Sequence, residues 1–250
     1  QFWVTGNGNT EGSTPLGGMV YTTLGSTGTP TVIVSREVPS SSSNKALNNF
    51  RSVQIAGGNL YTGSEKGTAG VYQVTGLPTK ATAPTAVTTF SGEIDPISEL
   101  PLEHVAGSGT VDLMYVVKES DGIYKYSLSG STWTERGRLV SGTFSGLTGK
   151  VDSEGHFRLY AISGSTAANS VVTITDTAAF NAAPATTGTK VVSTAPSGNA
   201  YRGIAFAPEV EGAVPGAPTA VGATAGDSKA TLSWTAPSNQ GSSSITAYKI

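Results

Sequence analysis

A short phrase, Gly18-Met19-Val20-Tyr21, returns as Gly70-Val71-Tyr72 and Gly122-Ile123-Tyr124, with a worn fourth copy at Asn169-Ser170-Val171-Val172-Thr173. The copies stand about 50 residues apart. A second phrase keeps a similar period: Leu60-Tyr61, Met114-Tyr115 and Leu159-Tyr160. A third begins each unit, at Phe50–Ala56, Phe144–Leu147 and Tyr201–Ala207. A chain that repeats at this length is built from supersecondary units that stack, because one unit cannot bury its own apolar face.

The residues between these markers read as strands and turns. β-branched and aromatic runs of four to eight residues alternate with Gly, Asn, Ser and Pro clusters. Strands are expected at Phe2–Gly6, Gly17–Leu24 and Thr31–Ser35, then at Phe50–Ala56, Asn59–Gly63, Val71–Val74 and Thr85–Phe90. A third unit is expected at Glu103–Ala106, Val111–Val117, Ile123–Leu128 and Trp133–Leu139, and a fourth at Phe144–Val151, Phe157–Ile162, Ser170–Thr175 and Lys190–Thr194. Tyr201–Ala207 is expected to be one more first strand.

Four short antiparallel strands per repeat are the blade of a β-propeller. The expected fold is all-β, with about four blades visible over residues 1–207 as part of a larger propeller. The first strand of each blade would line a central channel, which suits the small residues Ser52, Gly146, Gly203 and Ala205. The repeated phrase would be the third strand, its Gly serving the turn before it and its Tyr the wedge between blades.

Residues 208–217 carry two prolines and two glycines with no periodic pattern and read as a linker. Beyond it, Leu232, Trp234, Pro237 and Tyr248 stand where a fibronectin type III domain has the core Leu and Trp of its second strand, the following Pro and the Tyr of its third. Residues 218–250 thus resemble the N-terminal part of that β-sandwich, which needs about 90 to 100 residues when whole. The phrases Phe2–Gly6, Tyr124–Leu128, Phe144–Gly149 and Tyr201–Pro208 resemble the C-terminal part of bacterial secreted β-propeller proteins, which often carry appended domains of this kind. That resemblance implies a fold and a secreted or cell-surface location, and no particular activity. An unfinished second domain and an unbalanced first unit lead to the expectation that the sequence is a piece of a longer chain.

Composition narrows the function. Only 13% of residues are charged, the net charge is -2 and there is no cysteine. Polarity comes instead from Ser, Thr and Gly, the balance of an extracellular all-β protein. The nearest approach to a basic cluster is Arg136-Gly137-Arg138, too little for a nucleic-acid partner. No apolar run reaches the ~20 residues of a membrane-spanning helix.

A search for chemistry finds no nucleophile elbow, no zinc-helix motif, no phosphate loop and no EF-hand loop. Two acidic groupings remain as candidate binding residues. Glu93, Asp95, Glu99, Glu103 and His104 could form a cation or acid/base site at the channel rim, or merely a solvated loop. Asp152, Glu154 and His156 bracket a hairpin, where Asp and Glu are ordinary turn residues. No pattern calls for a cofactor, and a structural cation has no ligand spacing behind it. Trp3, Trp133 and Trp234 suit packing better than a sugar-stacking platform. The function expected is an adhesive or structural scaffold that binds protein partners, copies of itself or glycans. The alternatives are the propeller of an extracellular carbohydrate- or ester-active enzyme, or a lectin-like binder.

Overall fold

The computed structural model describes residues 1–6, 18–35, 48–66, 69–89, 97–105, 108–118, 120–164, 167–206, 215–240 and 245–248. These residues are all-β, with every ladder antiparallel. The chain divides into two compact units, 1–205 and 206–250.

The first unit holds four sheets in chain order. The first sheet is β1 (Phe2–Gly6), β2 (Gly18–Thr22) and β3 (Thr31–Ser35). In the second, β6 (Asn59–Lys66) pairs with both β4 (Asn48–Phe50) and β5 (Gln54–Ala56), and the sheet continues through β7 (Gly70–Val74) to β8 (Thr85–Thr89). The third runs β9 (Ile97–Leu102), β10 (Leu113–Lys118), β11 (Gly122–Ser129), β12 (Thr132–Ser141). The fourth runs β13 (Phe144–Val151), β14 (Phe157–Ser163), β15 (Ser170–Asp176), β16 (Thr186–Thr194). The repeated phrase is the third strand in each of the last three, as its period requires.

The sheets do not share ladders; they stack by their faces. Met19, Ile33, Phe50, Leu60 and Val74 form a core between the first and second sheets. Tyr61, Val71, Met114, Val116 and Tyr126 form one between the second and third. Leu113, Tyr115, Val117, Ile123, Phe157, Leu159 and Ile174 form one between the third and fourth. Alternate residues of a strand point to opposite faces. In β10, therefore, Met114 and Val116 pack towards the second sheet while Leu113, Tyr115 and Val117 pack towards the fourth. A sheet covered on both faces needs a continuous apolar run, and Leu-Met-Tyr-Val-Val is one.

One irregularity recurs in all four sheets. Opposite the second position of the phrase, the strand that follows it carries an extra residue: Ile33, Val87, Leu139 and Val192. These are β-bulges, which re-aim a side chain and tighten the local twist. Ile33, Val87 and Leu139 all turn into the core shared with the following sheet. The bulge also explains the glycine of the phrase. A Cβ on Gly70 would lie 2.3 Å from the carbonyl oxygen of Thr88, and one on Gly122 would lie 2.1 Å from that of Val140. The glycine is thus demanded by the bulged neighbour strand as well as by the turn before it.

Three expected strands differ. Phe50–Ala56 is two short strands, because Arg51, Ser52 and Val53 leave the ladder and Ser52 turns its hydroxyl to Glu99 and its carbonyl to Thr62. The first strand of the third sheet is Ile97–Leu102 rather than Glu103–Ala106. Its Glu and Pro hid it from pattern reading, yet an edge strand tolerates Pro101. Tyr201–Phe206 is extended coil and not a strand, with no described strand to complete its ladder. The loop at Asn7–Pro15, the serine-rich stretch at 39–43 and residues 208–214 of the expected linker lie outside the described residues.

The second unit shows a hairpin of β17 (Thr219–Gly226) and β18 (Lys229–Thr235). Trp234 meets Tyr248 edge to face at 5.1 Å.

Candidate binding cleft

The first-strand segments of successive sheets meet. β9 packs against β5 and β6 on one side and β13 on the other. Between these segments and the stretch 202–204 lies a cleft of about 340 Å³ lined by Arg51, Ser52, Val53, Gln54, Ser98, Ser145, Gly146, Leu147, Arg202, Gly203 and Ile204. Of the small first-strand residues picked out by sequence, Ser52, Gly146 and Gly203 line it and Ala205 does not. Gly146 holds a φ of +68°, a left-handed conformation that suits glycine, and a Cβ there would touch Ile204 at 3.5 Å and Ile162 at 3.6 Å.

The polar groups of the cleft are two guanidiniums, three hydroxyls and one amide. Arg51 forms an ion pair with Glu65 at 3.2 Å. Arg202 is exposed and has no acidic partner among the described residues. Behind Ser52 lies Glu99, fully buried. The Ser52 hydroxyl donates to Oε2 of Glu99, while Oε1 has no hydrogen-bond partner. Burial pushes the Glu99 carboxyl up to about 7, against a smaller downward pull from the Ser52 hydroxyl and the nearby amides of Glu99 and Gly63.

The acidic grouping of residues 93–104 does not form one site. Glu93 and Asp95 lie outside the described residues. Glu99 points inward to Ser52. Glu103 is half-buried beyond the end of β9. His104 is held elsewhere: its ring meets Asp112 through Nδ1, its backbone N–H donates to Asp112 at 3.0 Å, and it stacks on Phe180 at 3.9 Å.

Asp152, Glu154 and His156 do come together, with one ligand atom from each within 4.8 Å of the others. Their bonding is that of a turn. Asp152 Oδ1 accepts the backbone N–H groups of Glu154 and His156, each at 3.0 Å, and Oδ2 accepts from Arg158 at 3.2 Å. Desolvation opposes ionisation of Asp152, but these amides and the guanidinium outweigh it and hold the carboxyl below its usual range. Its oxygens are already occupied and its charge already countered.

Pattern reading missed a buried ionic network between the third and fourth sheets. Lys125 and Asp176 are both fully buried, with Nζ 2.8 Å from Oδ2. Asp176 also accepts from Tyr115 at 2.7 Å and from the backbone N–H groups of Ala178 and Ala185, and Lys125 donates to the Ala179 carbonyl at 2.8 Å. Every charge here is answered, so the network is structural. The tryptophans are also engaged: Trp3 donates to the Pro78 carbonyl at 2.8 Å and packs on Tyr21, and Trp133 packs at the core between the second and third sheets.

Comparison with protein-family models, curated proteins and solved structures finds no match.

Proposed function

We propose that this chain is an extracellular interaction scaffold built from β-propeller blades, and that it binds a small polar ligand in the cleft between its first strands. The convergence of β5, β9, β13 and residues 202–204 on one polar cleft carries the reading. Propellers place their innermost strands around a central axis, and ligands bind where those strands meet. The stacking order supports the same architecture. The phrase's second residue and the strand-two tyrosine are handed from each sheet to the next: Val71 and Tyr61 from the second, Ile123 and Tyr115 from the third. The cleft lining carries no histidine, its one hydroxyl paired with a carboxylate, Ser52, is turned to Glu99 behind it, and the remaining polar groups suit binding. The low charge and hydroxyl-rich surface favour an extracellular setting.

A Ser145→Trp variant places a large ring in the cleft. Screened against neutral and acidic glycans and peptides, the parent protein is expected to bind at least one class and the variant to lose it. Equal binding by both proteins sinks the cleft as the site.

A second reading, assembly through a sheet face, has its own observation. Val192 of β16 is 56% exposed, whereas the bulge residues at the same place in the earlier sheets, Ile33, Val87 and Leu139, pack into the core shared with the next sheet. Sedimentation of the purified protein decides it: a concentration-dependent dimer supports assembly, and a monomer throughout removes it.

A further inference from the structure

We infer that the cleft takes an acidic sugar, and that Glu99, acting through Ser52, couples its binding to uptake of a proton. This rests on the cleft being the binding site. The lining carries two guanidiniums and no carboxylate. Arg51 is answered by Glu65, which leaves Arg202 as the cation without an acidic partner among the described residues. A guanidinium is a planar fork that matches a carboxylate with two parallel hydrogen bonds. The hydroxyls of Ser52, Ser98 and Ser145 and the amide of Gln54 both donate and accept, as sugar hydroxyls require. Ile204, half-buried at the cleft, offers apolar surface for a ring face. One negative charge and several hydroxyls on a compact ring answer all of these groups together.

The coupling follows from which way one hydroxyl points. When Glu99 is ionised, Ser52 donates its only proton to Oε2 and has only lone pairs left to offer a ligand. When Glu99 is protonated, the acid donates to Ser52 Oγ, and the Ser52 proton is released to an acceptor in the cleft. A ligand carboxylate only accepts, so it selects the second arrangement and also gains from the loss of a nearby negative charge. Glu99 is suited to this change. It is fully buried, Oε1 has no hydrogen-bond partner among the described residues, and burial raises the carboxyl to about 7. The ionisable groups on the elements packed against β9 are Tyr61, Glu65, Tyr72, Tyr115, Lys118 and Lys150, with Arg51 and Arg202 at the cleft. None of them contributes to the Glu99 shift, which comes from burial. Neither His104 nor His156 lines the cleft.

The test is an NMR titration of the full chain with D-glucuronate and with D-glucose, at about pH 6 and about pH 8.5. Glucuronate stays ionised across this range. The expected result is glucuronate affinity roughly ten-fold higher at the lower pH, since one proton is taken up on binding. Glucose should bind more weakly and equally at both. Glu99→Gln, whose amide donates to Ser52 as the protonated acid does, should keep the low-pH affinity at both pH values. Should that variant not fold, Ser52→Ala serves instead and should bind weakly without pH dependence. Arg202→Gln, at an exposed position, should lose about ten-fold or more in glucuronate affinity at both pH values. Glucuronate affinity that ignores pH, glucose binding as tightly as glucuronate, or no binding of either sugar overturns the inference. Ser145→Trp separates this failure from that of the cleft. Equal affinities for the two sugars that vanish in Ser145→Trp leave the cleft standing without its acid preference. Sugar binding untouched by Ser145→Trp removes the cleft itself.

Discussion

At the scale of single residues, the two informative positions are a glycine and a glutamate. The phrase glycine looks like any turn glycine in sequence, but its neighbour is a backbone carbonyl that cannot move without breaking the bulge. Gly70→Ala and Gly122→Ala should each cost about 2 to 4 kcal/mol by urea denaturation, the range of steric strain in a packed site. Gly76 is the control. Its φ of +74° is strained for alanine but its surroundings are open, so Gly76→Ala should cost only about 1 kcal/mol. Glu99 makes stability depend on pH. Its carboxyl is raised in the folded state, so between about 4.5 and about 7 the native protein holds a proton the unfolded chain has lost. Stability should therefore fall as pH rises through that window, by about 3 kcal/mol in all, and level off above it. Glu99→Gln should remove this slope from the urea midpoint. A slope unchanged in the variant would mean that another group titrates.

At the scale of elements, the central sheets are sandwiched and the end sheets are not. β10 buries residues on both faces, whereas β16 is exposed along nearly its whole length. Native-state hydrogen exchange should find the slowest amides in β6, β10 and β11 and fast exchange in β1 and β16. Lys125 pins the third sheet to the fourth, and Lys125→Met strands a buried carboxylate. A loss of about 3 to 5 kcal/mol is expected, visible as a lowered urea midpoint. Much of this architecture was legible in sequence because the period and the turn glycines are local signals. Phe144–Val151 and Ile123–Leu128 match observed strands to within a residue or two. What was hidden is tertiary. Glu99 and Lys125 are charged residues in fully buried positions, so alternation reads them as surface. The partners that justify their burial, Ser52 and Asp176, are 47 and 51 positions away along the chain. The cleft was half legible: small first-strand residues marked its wall, but Arg51 and Arg202, which share the second position of the first-strand phrase, give no local sign that they face a cleft.

At the scale of the whole molecule, the division at residue 205 predicts independence. Removing residues 206–250 should leave the thermal midpoint of the four-sheet unit within about 2 °C of the parent, because its described core clusters are made of residues within 1–205. A larger drop, seen by circular dichroism, would count against two units. The bulges have a last consequence at this scale. Each sheet ends in the strand that follows the phrase, with no further described strand paired to its outer edge, and such edges invite other chains to add on. Many proteins guard them with lysines, but this chain has only 13% charged residues to spend anywhere. Placing one extra residue at the same point of β3, β8, β12 and β16 breaks the straight hydrogen-bonding line of each edge. An incoming strand would lose register after a few residues. The repeat that stacks the sheets thereby also keeps separate molecules from joining edge to edge.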